Sequence, residues 1–296
     1  MSTLLYSYGL PFSEKLGENL DALVKRVEGN KAALIIIDGG IGEGKTTLAI
    51  QVMNYLNTKF KLPNVNLEIK NHPQLALGGA QFLQNLRTCY EDSLPTITYD
   101  EAGDFNRRGS LTRFNAIINR TFETFRAFKI IVILCLPSFH VLDADLFDKK
   151  IPRLLLHLRD RTQAQGNLQG YSLYRMFYLK NKMEKLIVKP FAYGIVEPNF
   201  RGHFLDLDKE ASDKLDKIST KGKMDVLKKS EIESQGLLSY ADLARKIGRS
   251  VIWVRIAVGK LKLKPKKVIN RLKYFDESTL NRLMDHLDDF QRRGKK

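Results

Sequence analysis

The chain has 296 residues, 43% of them hydrophobic, and a formal net charge of +16. That length allows one sizeable core and a small second domain. No apolar run approaches the ~20 residues of a membrane helix, and Met1 to Pro11 lacks the basic start and apolar core of a signal peptide.

Two cysteines, Cys89 and Cys135, without a C-x-x-C pair or a histidine cluster, give no support for a disulfide framework or a zinc site. A reducing, cytoplasmic setting is the expectation. The charge is uneven. From Lys221 onward there are 20 Lys/Arg against 9 Asp/Glu, whereas 29 against 24 precede it. A nearly balanced front and a basic back predict that the back meets polyanions.

Residues 12–28 open with a capping candidate, Ser13, and carry Leu16, Leu20, Leu23, Val24 and Val27 at helical spacing. A short apolar run, Ala32 to Asp38, then ends in Gly39-Gly40-Ile41-Gly42-Glu43-Gly44-Lys45-Thr46-Thr47, and a segment with helical spacing follows (Leu48, Ile50, Val52, Met53, Leu56). Strand, glycine-rich loop and helix form the context in which G-x-x-x-x-G-K-[ST] acts. Gly39, Gly42 and Gly44 permit backbone angles closed to other residues. Successive amides then converge on phosphate oxygens at the positive end of the helix. Lys45 is placed to reach the β- and γ-phosphates and Thr46 to set its hydroxyl on Mg²⁺, so ATP and Mg²⁺ are the expected cofactors.

Alternation at Val65, Leu67 and Ile69 predicts a strand over 64–69, and Pro73 to Leu86 reads as a helix interrupted by Gly78-Gly79. Leu94 to Asp100 is a β-branched strand that delivers adjacent carboxylates, Asp100 and Glu101. One strand–helix unit beyond a phosphate loop, the first acid is expected to hold Mg²⁺ through water and the second to polarise the attacking water. Residues 104–127 place Phe114, Ile117, Ile118, Phe122 and Phe125 at helical spacing among Arg107, Arg108, Arg113, Arg120 and Arg126. A helix covering the sheet is expected there, its arginines serving a neighbouring subunit, DNA or solvent. Phe128 to Leu136 is the continuous apolar strand of a parallel sheet centre. It ends in Pro137-Ser138-Phe139-His140, where Ser138, with His140 as second choice, is the candidate γ-phosphate sensor. Ile151 to Leu158 is a fifth strand, and Tyr171–Leu179 with Lys185–Val196 reads as a β-hairpin.

Residues 205–235 read as a charged linker, with Phe204 to Lys229 open to a solvated helix as well. From 236 a compact pattern returns: a capped helix to Gly248, a second helix over Val251–Val258, two short strands at Lys260–Lys267 and Arg271–Phe275, and a last helix after Asp276. Helix, short glycine turn and helix match a helix-turn-helix. Arg249, Ser250, Trp253 and Arg255 would lie near a DNA groove, with Lys262, Lys264, Lys266, Lys267 and Arg271 on phosphate. Small helical tails also serve as oligomerisation or docking modules, and Trp253 also fits a core position.

Together, Gly39-x-x-Gly42-x-Gly44-Lys45-Thr46 resembles a Walker A motif and Thr96-Ile97-Thr98-Tyr99-Asp100-Glu101 a Walker B motif with a catalytic glutamate. With one strand and helix between them and a polar-tipped strand after, the order resembles the RecA/FtsK-HerA branch of P-loop ATPases. The block from Asp100 to Asp143 is similar to viral and mobile-element ATPases of the zonular-occludens-toxin-like group. The resemblance covers roughly residues 30 to 160. It departs from the membrane-bound members of that group in having no transmembrane segment.

It implies an α/β, RecA-like P-loop NTPase domain (1–204), whose mostly parallel central sheet is flanked by helices, and whose hairpin extension spans 171–196. A winged helix-turn-helix would follow at 236–296. The implied activity is Mg²⁺-dependent ATP hydrolysis with Lys45, Glu101 and Ser138 catalytic and Thr46 and Asp100 on the metal. Double-stranded DNA and further copies of the chain, in a ring for which a hexamer is the first candidate, are the implied partners. A helicase or recombinase loader, and an ATP-switched DNA-binding regulator, remain the alternatives.

Overall fold

Residues 33–38 are buried without a break, as a strand with neighbours on both sides and helices on both faces requires. This strand, β1 (Ala33–Asp38), follows helix α1 (Glu14–Glu28) and leads into α2 (Lys45–Lys59). The computed structural model describes residues 11–68, 72–77, 79–100, 129–142, 144–162, 165–184, 193–218, 220, 236–269 and 272–293. Within them come β2 (Leu75–Ala76), α3 (Gly79–Glu91), β3 (Thr96–Asp100), β4 (Ile131–Leu136), α4 (Ala144–Asp148), β5 (Pro152–Arg159), β6 (Gln165–Ser172), α5 (Leu173–Glu184) and β7 (Phe200–Leu205). A helix α6 over residues 209–218 follows.

The strands form one sheet in the order β2-β3-β4-β1-β5-β6-β7. The first five run parallel, while β6 and β7 are antiparallel. Strand alternation sorts the core into two layers. Ala33, Ile35 and Ile37 join α1 and α2 on one face, and Leu34 and Ile36 join residues of α3, α4 and α5 on the other. The expected α/β architecture, a mostly parallel sheet flanked by helices, is what forms. β4 lies between β1 and β3, so the strand carrying the glycine loop and the strand carrying Asp100 are one strand apart.

Three expectations need correction. Residues 64–68 are not a strand. The Val65 amide donates to Asn54 Oδ1 of α2 (2.8 Å) and the Glu68 amide to Asn66 Oδ1 (2.9 Å) in a local Asx turn, so both amides are taken before a ladder could form. The edge strand is instead Leu75–Ala76, inside the region expected to be helical, and the helix begins only at Gly79. The hairpin expected over 171–196 does not form, because Leu173–Glu184 is a helix that buries Met176 and Leu179. The real hairpin is β5–β6, with β7 as a third antiparallel strand. The predicted helix over 104–127 lies outside the described residues.

Ser13 stands at the N-cap of α1 but makes no capping bond; its hydroxyl is buried without a partner. Its backbone instead donates to the His203 carbonyl (3.0 Å), while the Leu205 amide donates to the Pro11 carbonyl (2.8 Å). Residues 11–13 thereby line the outer edge of β7.

The chain divides into two compact units, Met1–Gly222 and Lys223–Lys296. The second holds β8 (Leu238–Ser239), α7 (Tyr240–Ile247), α8 (Val251–Lys260), β9 (Lys267–Ile269), β10 (Leu272–Phe275) and α9 (Glu277–Arg293), with the antiparallel order β8-β10-β9. Ser239 and Asp242 form a reciprocal capping box at α7, and Gly248 (φ 70°) ends the helix in the left-handed region. Leu243, Val254, Ala257, Phe275, Leu280 and Leu283 form this unit's own core.

Candidate nucleotide site

The loop between β1 and α2 turns on glycines. Gly42 and Gly44 both have φ of 86°, and Gly44 is the N-cap of α2. A Cβ on Gly39 would stand 2.8 Å from the Leu158 carbonyl oxygen, so only glycine lets the loop leave β1 beside β5. The first amides of a helix have no partner within it; with the helix dipole they make this terminus an anion site. Gly39 is buried, Gly40 and Gly42 are exposed, and Ile41 at the tip is fully exposed. Glu43 is half-buried, and Thr47 turns into the core.

Lys45 curls back over this loop. Its ammonium donates to the carbonyls of Gly39 (2.9 Å) and Gly40 (2.6 Å). Burial pushes its pKa below the ordinary lysine value, against the opposing pull of Cys135, Asp100, Asp38 and Glu43. Thr46 Oγ1 donates to Asp100 Oδ2 at 2.7 Å, bridging the start of α2 and the tip of β3. A hydroxyl and a carboxylate meeting at the loop are hard oxygen donors, the set that suits Mg²⁺ when phosphate and water complete the shell. Cys135 lies between the two strand tips, in register with Ile37 and Asp100. Burial first, and Asp100 second, hold its thiol well above the usual cysteine range, so it is an inert core group.

The residues expected to act together are therefore partly assembled: Lys45, Thr46 and Asp100 converge. Glu101 lies outside the described residues. Ser138 follows β4 and caps a short 3₁₀ turn (Phe139–Val141), its hydroxyl accepting from the His140 amide (3.4 Å) and bonded to Tyr193. The His140 ring rests on that of Phe139.

A buried carboxylate that the sequence reading passed over sits beneath the loop. Asp38 ends β1 with no exposed surface. It accepts from the Phe139 amide (2.8 Å), pairs with His157 Nδ1 of β5 (2.9 Å), and receives the Tyr193 hydroxyl. The His157 and Tyr193 rings stack with centroids 3.5 Å apart. Burial and the neighbouring Asp38 charge push the Tyr193 hydroxyl far above its ordinary pKa, so it stays a donor. A buried charge is tolerated only with such a set of partners. Asp38 thus ties the tips of β1, β4 and β5 together beside the phosphate loop. The available signal was one acid closing an otherwise apolar strand.

A second omission is Arg161, from the turn after β5. Its amide donates to Glu43 Oε2 (3.1 Å), and its guanidinium reaches the Gly42 carbonyl (3.4 Å) and pairs with Asp206.

In the C-terminal unit, Ser250 caps α8 by accepting from the Trp253 amide at 3.2 Å. Trp253 itself is half-buried against the local core with its ring near His286. The outward face of α8 is instead Ile252, Arg255 and Ile256, positions one helical turn apart. Arg255 also lies over the Tyr240 ring. Arg249, Lys262, Lys264 and Lys266 are exposed and Lys267 is half-buried, while Arg271 lies outside the described residues. Among the described residues, no helix is long and apolar enough to cross a membrane.

No protein-family model matches this chain, and no curated protein matches it. Among solved structures it is similar to the N-terminal domain of zonular occludens toxin from Neisseria meningitidis, at 16% identity over 48% of this chain and 84% of that one, with a TM-score of 0.30. It is also similar to a KaiC-like protein from Pyrococcus horikoshii (12% identity, 48% and 80% covered, TM-score 0.29). A third is the flagellar accessory protein FlaH from Methanocaldococcus jannaschii (14% identity, 52% and 84% covered, TM-score 0.22). Each overlap spans about half of this chain.

Proposed function

We propose that the first unit is a RecA-like P-loop ATPase of the FtsK-HerA kind, and that hydrolysis moves, packages or remodels double-stranded DNA in a virus or mobile genetic element. The observation that carries the ATPase reading is the 2.7 Å contact between Thr46 and Asp100 beside the curled-back Lys45. Phosphoryl transfer depends mainly on positioning and charge neutralisation. Loop amides and Lys45 hold the β- and γ-phosphates, Thr46 and Asp100 hold Mg²⁺, Glu101 orients the attacking water, and Ser138 senses the γ-phosphate. Mg²⁺, when bound, offsets the charge on the phosphate oxygens.

In this proposal the C-terminal unit is a winged helix-turn-helix that grips duplex DNA. The support is its surplus of basic residues, the capped α8 with an Arg-bearing outer face, and the basic β9–β10 hairpin. Phosphate contacts by Lys262, Lys264 and Lys266 make affinity fall with salt. A cytoplasmic ring of several copies is the working assembly in this reading.

The test is ATPase rate with and without duplex DNA, alongside native mass. Duplex DNA is expected to stimulate turnover, and Glu101→Gln is expected to bind ATP and retain it. Normal hydrolysis by Glu101→Gln removes Glu101 from its role. Turnover indifferent to DNA, with a helicase or recombinase recovered as partner, turns the reading to a loader. Tight sequence-specific binding with little turnover turns it to a regulator.

A further inference from the structure

Two cations hold the carbonyl side of the phosphate loop from opposite ends. Lys45, from within the motif, takes the carbonyls of Gly39 and Gly40. Arg161, from the antiparallel side of the sheet, takes the carbonyl of Gly42. Its backbone amide also fixes the Glu43 carboxylate at 3.1 Å. The guanidinium is aimed by Asp206, just beyond β7, and both side chains are about three-quarters buried (26% and 28% exposed). The fit is close: a Cβ on Gly44 would lie 2.9 Å from the guanidinium and 3.1 Å from the Phe204 ring.

The two cations part company when a polyphosphate arrives. The Lys45 ammonium gains a fully charged acceptor, and a charge-assisted bond is stronger than one to a neutral carbonyl. Gly39 and Gly40 then lose their donor. Arg161 is anchored outside the motif and bonds two loop residues, Gly42 and Glu43, so its hold does not depend on Lys45. A planar fork serves two acceptors, Gly42 and Asp206, at once, which an ammonium does less well.

We propose that Arg161, aimed by Asp206, is a positioning residue for the nucleoside triphosphate. It keeps Gly42 to Gly44 in the phosphate-cradling shape while Lys45 transfers from loop carbonyls to phosphate. This rests on the nucleotide reading of the loop. Losing a charged hydrogen-bond partner at this loop corresponds to about a tenfold loss of nucleotide affinity.

The experiment uses the full chain and Mg²⁺ with a non-hydrolysable ATP analogue, read by calorimetry, and steady-state ATPase kinetics. Arg161→Ala is expected to raise both Kd and KM about tenfold with kcat within about twofold. Arg161→Lys should recover part of the loss, and Asp206→Asn should shift Kd in the same direction by less. Wild-type affinity in Arg161→Ala, with Lys45→Ala binding nothing, overturns the proposal and leaves the nucleotide reading intact. A fall in kcat at unchanged KM, or a fall in thermal stability without weaker binding, also overturns it. If Arg161→Ala does not fold, Asp206→Asn decides the matter: unchanged Kd overturns the proposal. Absence of nucleotide binding in the wild-type protein removes the underlying reading and the proposal together.

Discussion

The parallel and antiparallel halves of the sheet are built on opposite terms. In the parallel half, β1 and β4 are buried throughout, and the neighbouring strand ends carry Asp38, Asp100 and His157. Its chemistry lies where side chains stop being apolar. The antiparallel half reads Gln-Gly-Asn-Leu-Gln-Gly-Tyr-Ser along β6 and places two glycines opposite two aromatic rings of β7. Gly166 faces Phe204 and Gly170 faces Phe200, and a Cβ would fall 2.2 Å and 2.1 Å from those rings. Phe204 then continues to Gly44 of the loop. One half carries the candidate site groups, and the other sets the space in which the loop sits.

That division is open to test, beginning with the largest effect. Lys45→Ala is expected to lower ATPase activity by about a hundredfold or more while leaving the urea midpoint near that of the wild type. A large stability loss would mean that the loop also holds the sheet together. Asp38→Ala removes the acceptor for three buried donors and should cost about 3 kcal/mol, read as a lower urea midpoint at constant slope. Substituting either β6 glycine by alanine should cost about 1–3 kcal/mol through overpacking. Gly166→Ala should also weaken nucleotide binding because it displaces Phe204 toward Gly44, whereas Gly170→Ala should not. Equal nucleotide affinity in these two variants breaks the link between β6 and the loop. The smallest effect is expected at Gln51, whose Nε2 donates to the Leu205 carbonyl (2.6 Å) and joins α2 to the β7 end. Gln51→Met should cost about 1 kcal/mol by thermal unfolding.

The same contrast explains what the sequence disclosed. β1 and β4 are runs of consecutive buried apolar residues, and the glycine loop has a fixed spacing, so strand, loop and helix were legible before any coordinates. So were Lys45, Thr46 and Asp100, which stand near one another beside the loop. The antiparallel half was misread because the signal of β6 is missing side chains, while Leu173–Glu184 has apolar residues that also suit alternation. Asp38 and Arg161 were missed for a different reason. Their partners, His157, Tyr193, Gly42 and Asp206, are distant in the chain, and no local period encodes such a meeting. In the C-terminal unit the caps at Ser239 and Ser250 are local features, each bonding a backbone amide three residues on. Which face of α8 points outward required the packing of Val254, Ala257 and Val258.

The rims of the sheet bear on how copies of this chain can meet. An exposed strand edge is a template for another strand. Here β2 offers only two residues, and Pro11 to Ser13 lie along β7. Among the described residues of the first unit, the sheet rims therefore offer little template for strand addition. Trimming the chain past Ser13 would uncover the β7 rim and exchange a selective surface for a sticky one.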